Sequence, residues 1–508
     1  MSKRRSKVEF GDFQTPPPLA GAICELLLQR RVKPLSVVEP NCGKGSFVIA
    51  CLERFKSISR LVATDINPSY IASLKRSLES HSRSTDVEAF QADFYETAWP
   101  KVVNDLPEPL LVIGNPPWVT NAGLGVIGGS NLPEKSNFQG HAGLDALTGK
   151  SNFDISEWMM IRESGWLNGR TGTLAMLCKR AVARKVLLHA WKNSMQVSRS
   201  DIYSINAKDH FNASVESCLL VCDFSPRCHS KECVVHSALS HDTSEARFGF
   251  RDGRLVADVA AYEHLKRFSA KSETRKWRSG IKHDCAEVME LEKEGTTYCN
   301  GLGEHIELEQ EYLYPMLKSS QLANDCEIRT DRWMLVTQRH IGDNTGDIKQ
   351  RAPKTWRYLQ ANAERLDRRA SVIYKGRPPF SMFGVGEYTF APWKVAISGL
   401  YKRLEFKTIG PMHGKPVVFD DTCYFLACKD QKEAYALAKV LNSPPAKEFY
   451  NSLIFWDGKR PLTAEILNSL DVDAVALEIG VASGDSQPNR STDPQQVLPG
   501  LFSDSRQP

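Results

Sequence analysis

Short apolar runs in the first half of the chain alternate with stretches whose apolar residues fall at helical spacing. LSVVEP (35–40), LVATDI (61–66), VEAFQADF (87–94) and LLVIGNPP (110–117) read as strands. Between them LAGAICELLLQRR (19–31), KGSFVIACLERF and NPSYIASLKRSLESH read as helices, the last with Asn67 as its N-cap. TGTLAMLC (171–178) is a fifth strand, followed by a helix through Trp191. FNASVESCLLVCDF (211–224) and ECVVHSAL (232–239) close the series as strands. Strands alternating with helices predict a parallel α/β sheet covered on both faces.

The pattern changes after about residue 245. RFGFRDGRLVAD predicts a hairpin turning at Asp252-Gly253, and KRFSAKSETRKWRSGIKHD (266–284) is strongly basic. Short strand-like pieces, aromatic residues and turns then run to about residue 475. The end of the chain is rich in Ser, Pro, Gln and Asp. The expected division is a catalytic α/β domain over 1–265, a mixed α+β domain over 266–475, and a disordered tail over 476–508.

Composition narrows the class. The chain has 508 residues, 42% of them hydrophobic and 25% charged, which suits a soluble globular protein with a full core. With no run of 18 apolar residues, no transmembrane helix and no membrane partner are expected. The thirteen cysteines are scattered without a disulfide framework, pointing to a reducing cytoplasm. Cys222, Cys228, His229, Cys233 and His236 lie close together, but their spacing matches no standard zinc pattern, so no metal is expected. A net charge of +5 permits a polyanionic partner without demanding one.

Four consecutive strand ends carry polar or glycine residues, at the sheet edge where ligands bind in open α/β folds. VVEPNCGKGSF sets Glu39 ahead of Gly43-x-Gly45, where glycines let the backbone approach a ligand and turn into a helix. Val48 occupies the third place of a dinucleotide fingerprint, and P-loop spacing is absent. An acid at this point repels phosphate and attracts a cationic or hydroxyl-rich group. Asp65 can accept from ribose hydroxyls. Asp93 can take an adenine amine, and Phe94 can cover the ring. Together they describe a pocket for an uncharged nucleoside joined to an amino acid, S-adenosylmethionine.

The fourth strand runs into Asn115-Pro116-Pro117-Trp118. Neither proline has an N–H to donate, so pairing stops abruptly and leaves an amide, two rigid carbonyls and an indole at the edge. Adenine's exocyclic amine is a poor nucleophile because its lone pair is delocalised into the ring. The Asn115 side-chain oxygen and the Pro116 carbonyl can accept its two hydrogens and restore the lone pair, with Trp118 stacked on the base.

In this order the motifs resemble an N6-adenine DNA methyltransferase of the gamma group. GDFQTPPPLA resembles that family's N-terminal cofactor motif; VVEPNCGKGSF, ATDINPSY and QADF resemble the next three, and NPPW the catalytic one. The stretches following NPPW and around SVIYKGRPPFSMFGVGEYTF further resemble the Eco57I-like branch of modification methylases. The resemblance implies a Rossmann-like class I sheet, seven-stranded and mostly parallel, with a second target-recognition domain. It implies cofactor contacts from Phe13, Thr15, Asn41 and Ile66 besides Glu39, Gly43, Gly45, Asp65, Asp93 and Phe94. It makes Phe211 a second platform for a flipped-out base, a residue that serves equally well as core. The implied partners are double-stranded DNA and a possible cognate restriction endonuclease.

Two basic clusters fit DNA phosphates: Lys266, Arg267, Lys271, Arg275, Lys276, Arg278 and Lys282, then Arg365, Arg368, Arg369, Lys375 and Arg377. The sequence leaves open a methyltransferase acting on RNA or on a protein glutamine amide, and a non-catalytic DNA-binding protein with a decayed cofactor fold.

Overall fold

The computed structural model describes residues 14–79, 81–83, 86–119, 154–212, 215–240, 244–271, 275–324 and 328–481, except the side chains of 245 and 372. Phe13, most of the stretch after Trp118 and the expected tail from residue 482 lie outside the described residues.

The first half builds one ten-stranded sheet. Its parallel centre is β1 (Ser36–Glu39), β2 (Arg60–Asp65), β3 (Val87–Gln91), β4 (Leu110–Gly114) and β5 (Gly172–Lys179). Next come β6 (Val197–Asn206), β7 (Glu216–Phe224), β8 (Glu232–His236), β9 (Ser244–Arg251) and β10 (Arg254–Val256). The order β3-β2-β1-β4-β5-β7-β6, with β7 antiparallel to both neighbours, is the seven-stranded Rossmann-like arrangement. Strands β8, β9 and β10 extend it beyond the expected seven. The hairpin turns at Asp252 and Gly253, both with positive φ.

Successive strand residues enter opposite cores. Val37, Leu111, Ile113 and Leu177 face helices α1 (Pro17–Gln29), α2 (Ser46–Arg54) and α3 (Pro68–Leu78). Val38, Val112, Leu174 and Met176 face α4 (Trp99–Val103), α5 (Ile155–Leu167) and α6 (Arg180–Lys192). Burial on both faces explains why these strands read as continuous apolar runs. Asn67 caps α3, its side chain accepting from the Ser69 N–H at 3.0 Å.

Strand β6 is missing from the sequence reading. Its VSRSDIYSIN segment is laced with polar residues because Asp201 belongs to a buried network. Arg30, at the end of α1, bonds Asp201 and Asp223 at 2.7 and 2.8 Å, while His236 bonds Asp201 at 2.9 Å and stacks on Tyr203. Burial opposes the Asp201 charge, but Arg30, Arg199 and His236 outweigh it and hold its pKa below the ordinary value. The network sits at the amino end of β5, where the Thr173 hydroxyl donates to Asp223 at 2.9 Å. It fixes the far end of α1, whose near end follows Gln14 and Thr15.

Residues 257–481 form two further sheets of four and six strands. Helices α8 (Val259–Leu265), α9 (Gln431–Leu441), α10 (Pro444–Leu453) and α11 (Val472–Glu478) share one core. The expected boundaries fall inside that core. Tyr262 and Leu265 pack on the C-terminal helices, and α11 carries Val475 and Ala476 past residue 475. Among the described residues no helix is long and apolar enough to cross a membrane.

Glu163 on α5 is fully buried, and neither carboxylate oxygen has a hydrogen-bond partner among the described residues. Burial pushes its pKa up to about 8. A raised carboxyl pKa contributes stability below the unfolded pKa and loses it as pH rises toward the folded one. Glu163→Gln therefore gains on the wild type between pH 5.5 and 8, by up to about 3 kcal/mol. Urea midpoints at both pH values measure this; parallel shifts of the two proteins would contradict it.

Candidate active site

The carboxyl ends of β1, β2, β3 and β4 lie side by side on one sheet edge and carry Glu39, Asp65, Asp93 and Asn115 in turn. The glycine turn after β1 is held from two sides. The Gly43 N–H donates to Asp65 Oδ2 at 2.8 Å, and the Lys44 N–H donates to Gln14 Oε1 at 3.0 Å. Gly43 has φ +51°, and a Cβ there would meet the Gln14 amide at 2.4 Å. Gly45, at φ +85°, begins α2, and a Cβ there would strike Leu74 at 2.3 Å. Positive φ and these side-chain contacts together favour glycine at both positions. Thr15 is buried just before α1.

Glu39 is 3% exposed, and its Oε2 has no hydrogen-bond partner among the described residues. Burial, with Cys24 and Asp65 nearby, pushes its pKa well above the ordinary value against a hydrogen bond from the Val48 N–H. The Asn41 Oδ1, one turn on, is likewise buried without a partner among the described residues. Two orphaned acceptors just ahead of a glycine turn suit a ligand that brings N–H or O–H donors.

Asp65 does more than await a ligand. Its Oδ2 takes the Gly43 N–H and its Oδ1 takes the Asn67 N–H at 2.8 Å, tying the glycine turn to the start of α3. Ile66, beside it, is 40% exposed and offers an apolar surface at the edge. Asp93 lies past the end of β3, which stops at Gln91, and accepts from the Tyr95 N–H at 2.8 Å.

Phe94 departs from expectation. It is buried among Tyr95, Trp99, Trp158 and Trp166, with ring centroids 5.3 to 6.1 Å away, so it belongs to the core under α4 and α5 rather than to an open face. Of the two apolar candidates here, Ile66 is the exposed one.

The strand β4 ends at Gly114, as the two prolines require. Asn115 and Pro117 are half-buried, whereas Pro116 and Trp118 are buried. Trp118 is held by β5 at two points. Its Nε1–H donates to the Leu177 carbonyl at 3.3 Å, and Lys179 Nζ donates to the Trp118 carbonyl at 3.0 Å. Lys179 also meets Asp154 at 2.5 Å, and the Ile155 N–H donates to the Val119 carbonyl at 2.9 Å. The tetrapeptide is thus clamped between the end of β5 and the start of α5.

Phe211 does not open a strand: it ends the short helix α7 (Ala207–Phe211), and β7 starts at Glu216. It does reach Trp118. The two rings touch edge to face, 5.2 Å apart at 70°. The fold brings the two rings together, in contact with each other.

Most of the expected phosphate-binding cations already have partners. Lys266, Arg267, Arg275 and Arg365 pair with Glu263, Glu478, Glu433 and Glu287 at 2.8 to 3.2 Å, and Arg368 pairs with Glu364. Arg369 donates to the His283 and Ser381 carbonyls. Exposed pairs are worth little and can exchange for phosphate, but the density of basic residues does not by itself mark a nucleic-acid face. Of the Cys/His group, Cys222 and Cys233 are buried in strands and His236 bonds Asp201.

Sequence reasoning missed Gln14 and Lys179. Lys179 lies 61 residues from Trp118 and belongs to no motif, so only the fold reveals it.

No protein-family model matches the chain. The type II methyltransferase M.NspV of Nostoc sp. is 44% identical over 477 residues, covering 94% of this chain and 98% of the relative. The type II methyltransferase M.CvrRI of Paramecium bursaria Chlorella virus XZ-6E is 33% identical over 122 residues, covering 23% of this chain and 28% of its own. Among solved structures, the type IIL restriction-modification enzyme MmeI in complex with DNA aligns with a TM-score of 0.48 at 11% identity, over 94% of this chain and 74% of that one. A type I restriction-modification methyltransferase subunit from Streptococcus thermophilus aligns with a TM-score of 0.32 at 16% identity, over 50% and 52% of the two chains. Sharing 44% of its residues with M.NspV along almost the whole of both chains, the protein belongs to the type II methyltransferases.

Proposed function

We propose that the chain is a site-specific DNA adenine-N6 methyltransferase of a restriction–modification system, with S-adenosylmethionine as its cofactor. The observation that carries the proposal is the clamped Asn115-Pro116-Pro117-Trp118 on the strand-end edge that also holds the Glu39 and glycine-turn cradle. The residues present fit that cofactor. Glu39 and Asn41 offer buried acceptors for its amino-acid and ribose donors, and Gly43 and Gly45 let backbone come close. Asp65 stands beside the turn, and Ile66 gives an apolar surface for a base. When bound, the cofactor supplies an electrophilic methyl group on a sulfonium.

The protein's part is to make a planar amine reactive. The Asn115 side-chain oxygen accepts one N6 hydrogen and the Pro116 carbonyl the other. The nitrogen moves toward tetrahedral geometry, its lone pair leaves the ring, and the displaced proton passes to solvent. Two prolines fix the carbonyl in advance, so little reorganisation is needed at the reactive moment. The proton balance needs neither metal nor nucleophile.

The base must leave the duplex, at a cost of a few kcal/mol. It enters only when Trp118 and Phe211 part. Trp118 is fixed by two hydrogen bonds, whereas Phe211 ends a short helix, so Phe211 is the ring that yields. Stacking on the freed faces returns about 1–3 kcal/mol per base.

Expression in a methylation-free bacterium followed by single-molecule sequencing tests the reading. One sequence motif bearing N6-methyladenine is expected; an unmodified genome beside labelled ribosomal protein or RNA would overturn it. Asn115→Ala is expected to lower kcat by about 10²–10³-fold with cofactor affinity unchanged, measured by transfer of a labelled methyl group. Gly43→Ala should do the opposite. Its Cβ displaces Gln14, so cofactor-induced thermal stabilisation is lost, and retention of wild-type stabilisation would contradict the cradle. Trp118→Phe keeps an aromatic face and removes the Leu177 hydrogen bond, at about 1 kcal/mol. It is expected to slow turnover while 2-aminopurine at the target position still reports base extrusion.

A further inference from the structure

A cavity of about 550 Å³ opens beside the clamp. One wall is the end of β5 and the start of α6, with Lys179 and Arg184; the opposite wall holds Lys402, Asp457 and Lys459. Arg184 and Asp457 join the walls at 2.7 Å, with side chains only 13% and 15% exposed, and so neutralise each other. The lining Glu216 lies 3.5 Å from Arg180. Lys402 and Lys459 are both exposed, and neither has an ion-pair partner among the described residues. Lys179 is 25% exposed, with its ammonium already on Asp154 and the Trp118 carbonyl. Two uncompensated cations thus face a space that touches the catalytic segment through one lysine.

We propose that this cavity seats a backbone phosphate of the DNA strand that carries the target base. Lys402 and Lys459 supply the charge, and Lys179 connects the seat to Trp118. The proposal rests on the DNA methyltransferase reading and adds a specific anchor to it. A phosphodiester fits better than a small carboxylate ligand. The space is open and several times the size of one anion, its charges are long flexible ammoniums suited to a point charge, and it lies at the carboxyl end of β5, beside the end of β4 that carries Asn115. A phosphate held there fixes the nucleotide next to the flipped one. Its pull on Lys179 acts on the hydrogen bond by which that lysine holds the Trp118 carbonyl.

The test is Lys402→Gln/Lys459→Gln, two exposed positions whose change leaves the fold intact, as an unchanged melting temperature verifies. Binding of a fluorescent duplex is measured against sodium chloride concentration for wild type and variant. Neutralising one phosphate contact makes the slope of log affinity against log salt shallower by about 0.9, for target and non-target duplexes alike. Duplexes with single neutral methylphosphonate linkages locate the contact: one linkage weakens the wild type and leaves the variant unaffected. If the wild type binds and methylates DNA but the variant keeps the wild-type slope, the seat is refuted and the enzyme reading stands. If the slope falls but no linkage distinguishes the proteins, a single seat is refuted. If the wild type binds no duplex, both fail together.

Discussion

The site depends on a strand that cannot continue. Leu110–Gly114 is buried on both faces and paired on both sides, and it stops because Pro116 and Pro117 have no N–H to give. A chain that leaves a sheet so abruptly exposes polar backbone, which needs new partners. Strand β5 provides them. The Leu177 carbonyl takes the Trp118 indole N–H, and Lys179 reaches back to the Trp118 carbonyl. The residue that closes the turn is held by neighbours that are themselves fixed in the core.

The other half of the site follows the same logic with glycine in place of proline. Gly43 and Gly45 adopt positive φ, and Asp65 and Gln14 hold the turn from opposite sides. The acid expected to meet a ribose is therefore also a brace for the loop. Helix α1 is anchored far away, where buried Arg30 meets Asp201 and Asp223. The Gln14 contact and that ion network pin α1 at both ends, so the cradle is tied to β6 and β7 across the width of the sheet.

Much of this was legible in the sequence. The five parallel strands, the α3 cap and the Asp252-Gly253 hairpin follow from local pattern, because each is dictated by neighbours in the chain. Strand β6 was hidden by Asp201 and Arg199, whose polarity is compensated by residues distant in sequence. Phe94 looked like a ligand face because it follows Asp93, and only packing places it among three tryptophans. Arg267 and Arg275 read as free cations because their glutamate partners, Glu478 and Glu433, lie 211 and 158 residues away. Lys179 carries no motif at all. Pattern reveals what backbone chemistry demands; long-range pairing does not show in it.

The proposed chemistry turns on the orientation of one amide. A crystal structure with S-adenosylmethionine bound measures it directly. The cofactor's amino-acid end is expected at Glu39 and its methyl group turned toward the space beside the Asn115 amide. A methyl group directed away from Asn115, or an amide closed off from that space, would contradict that chemistry.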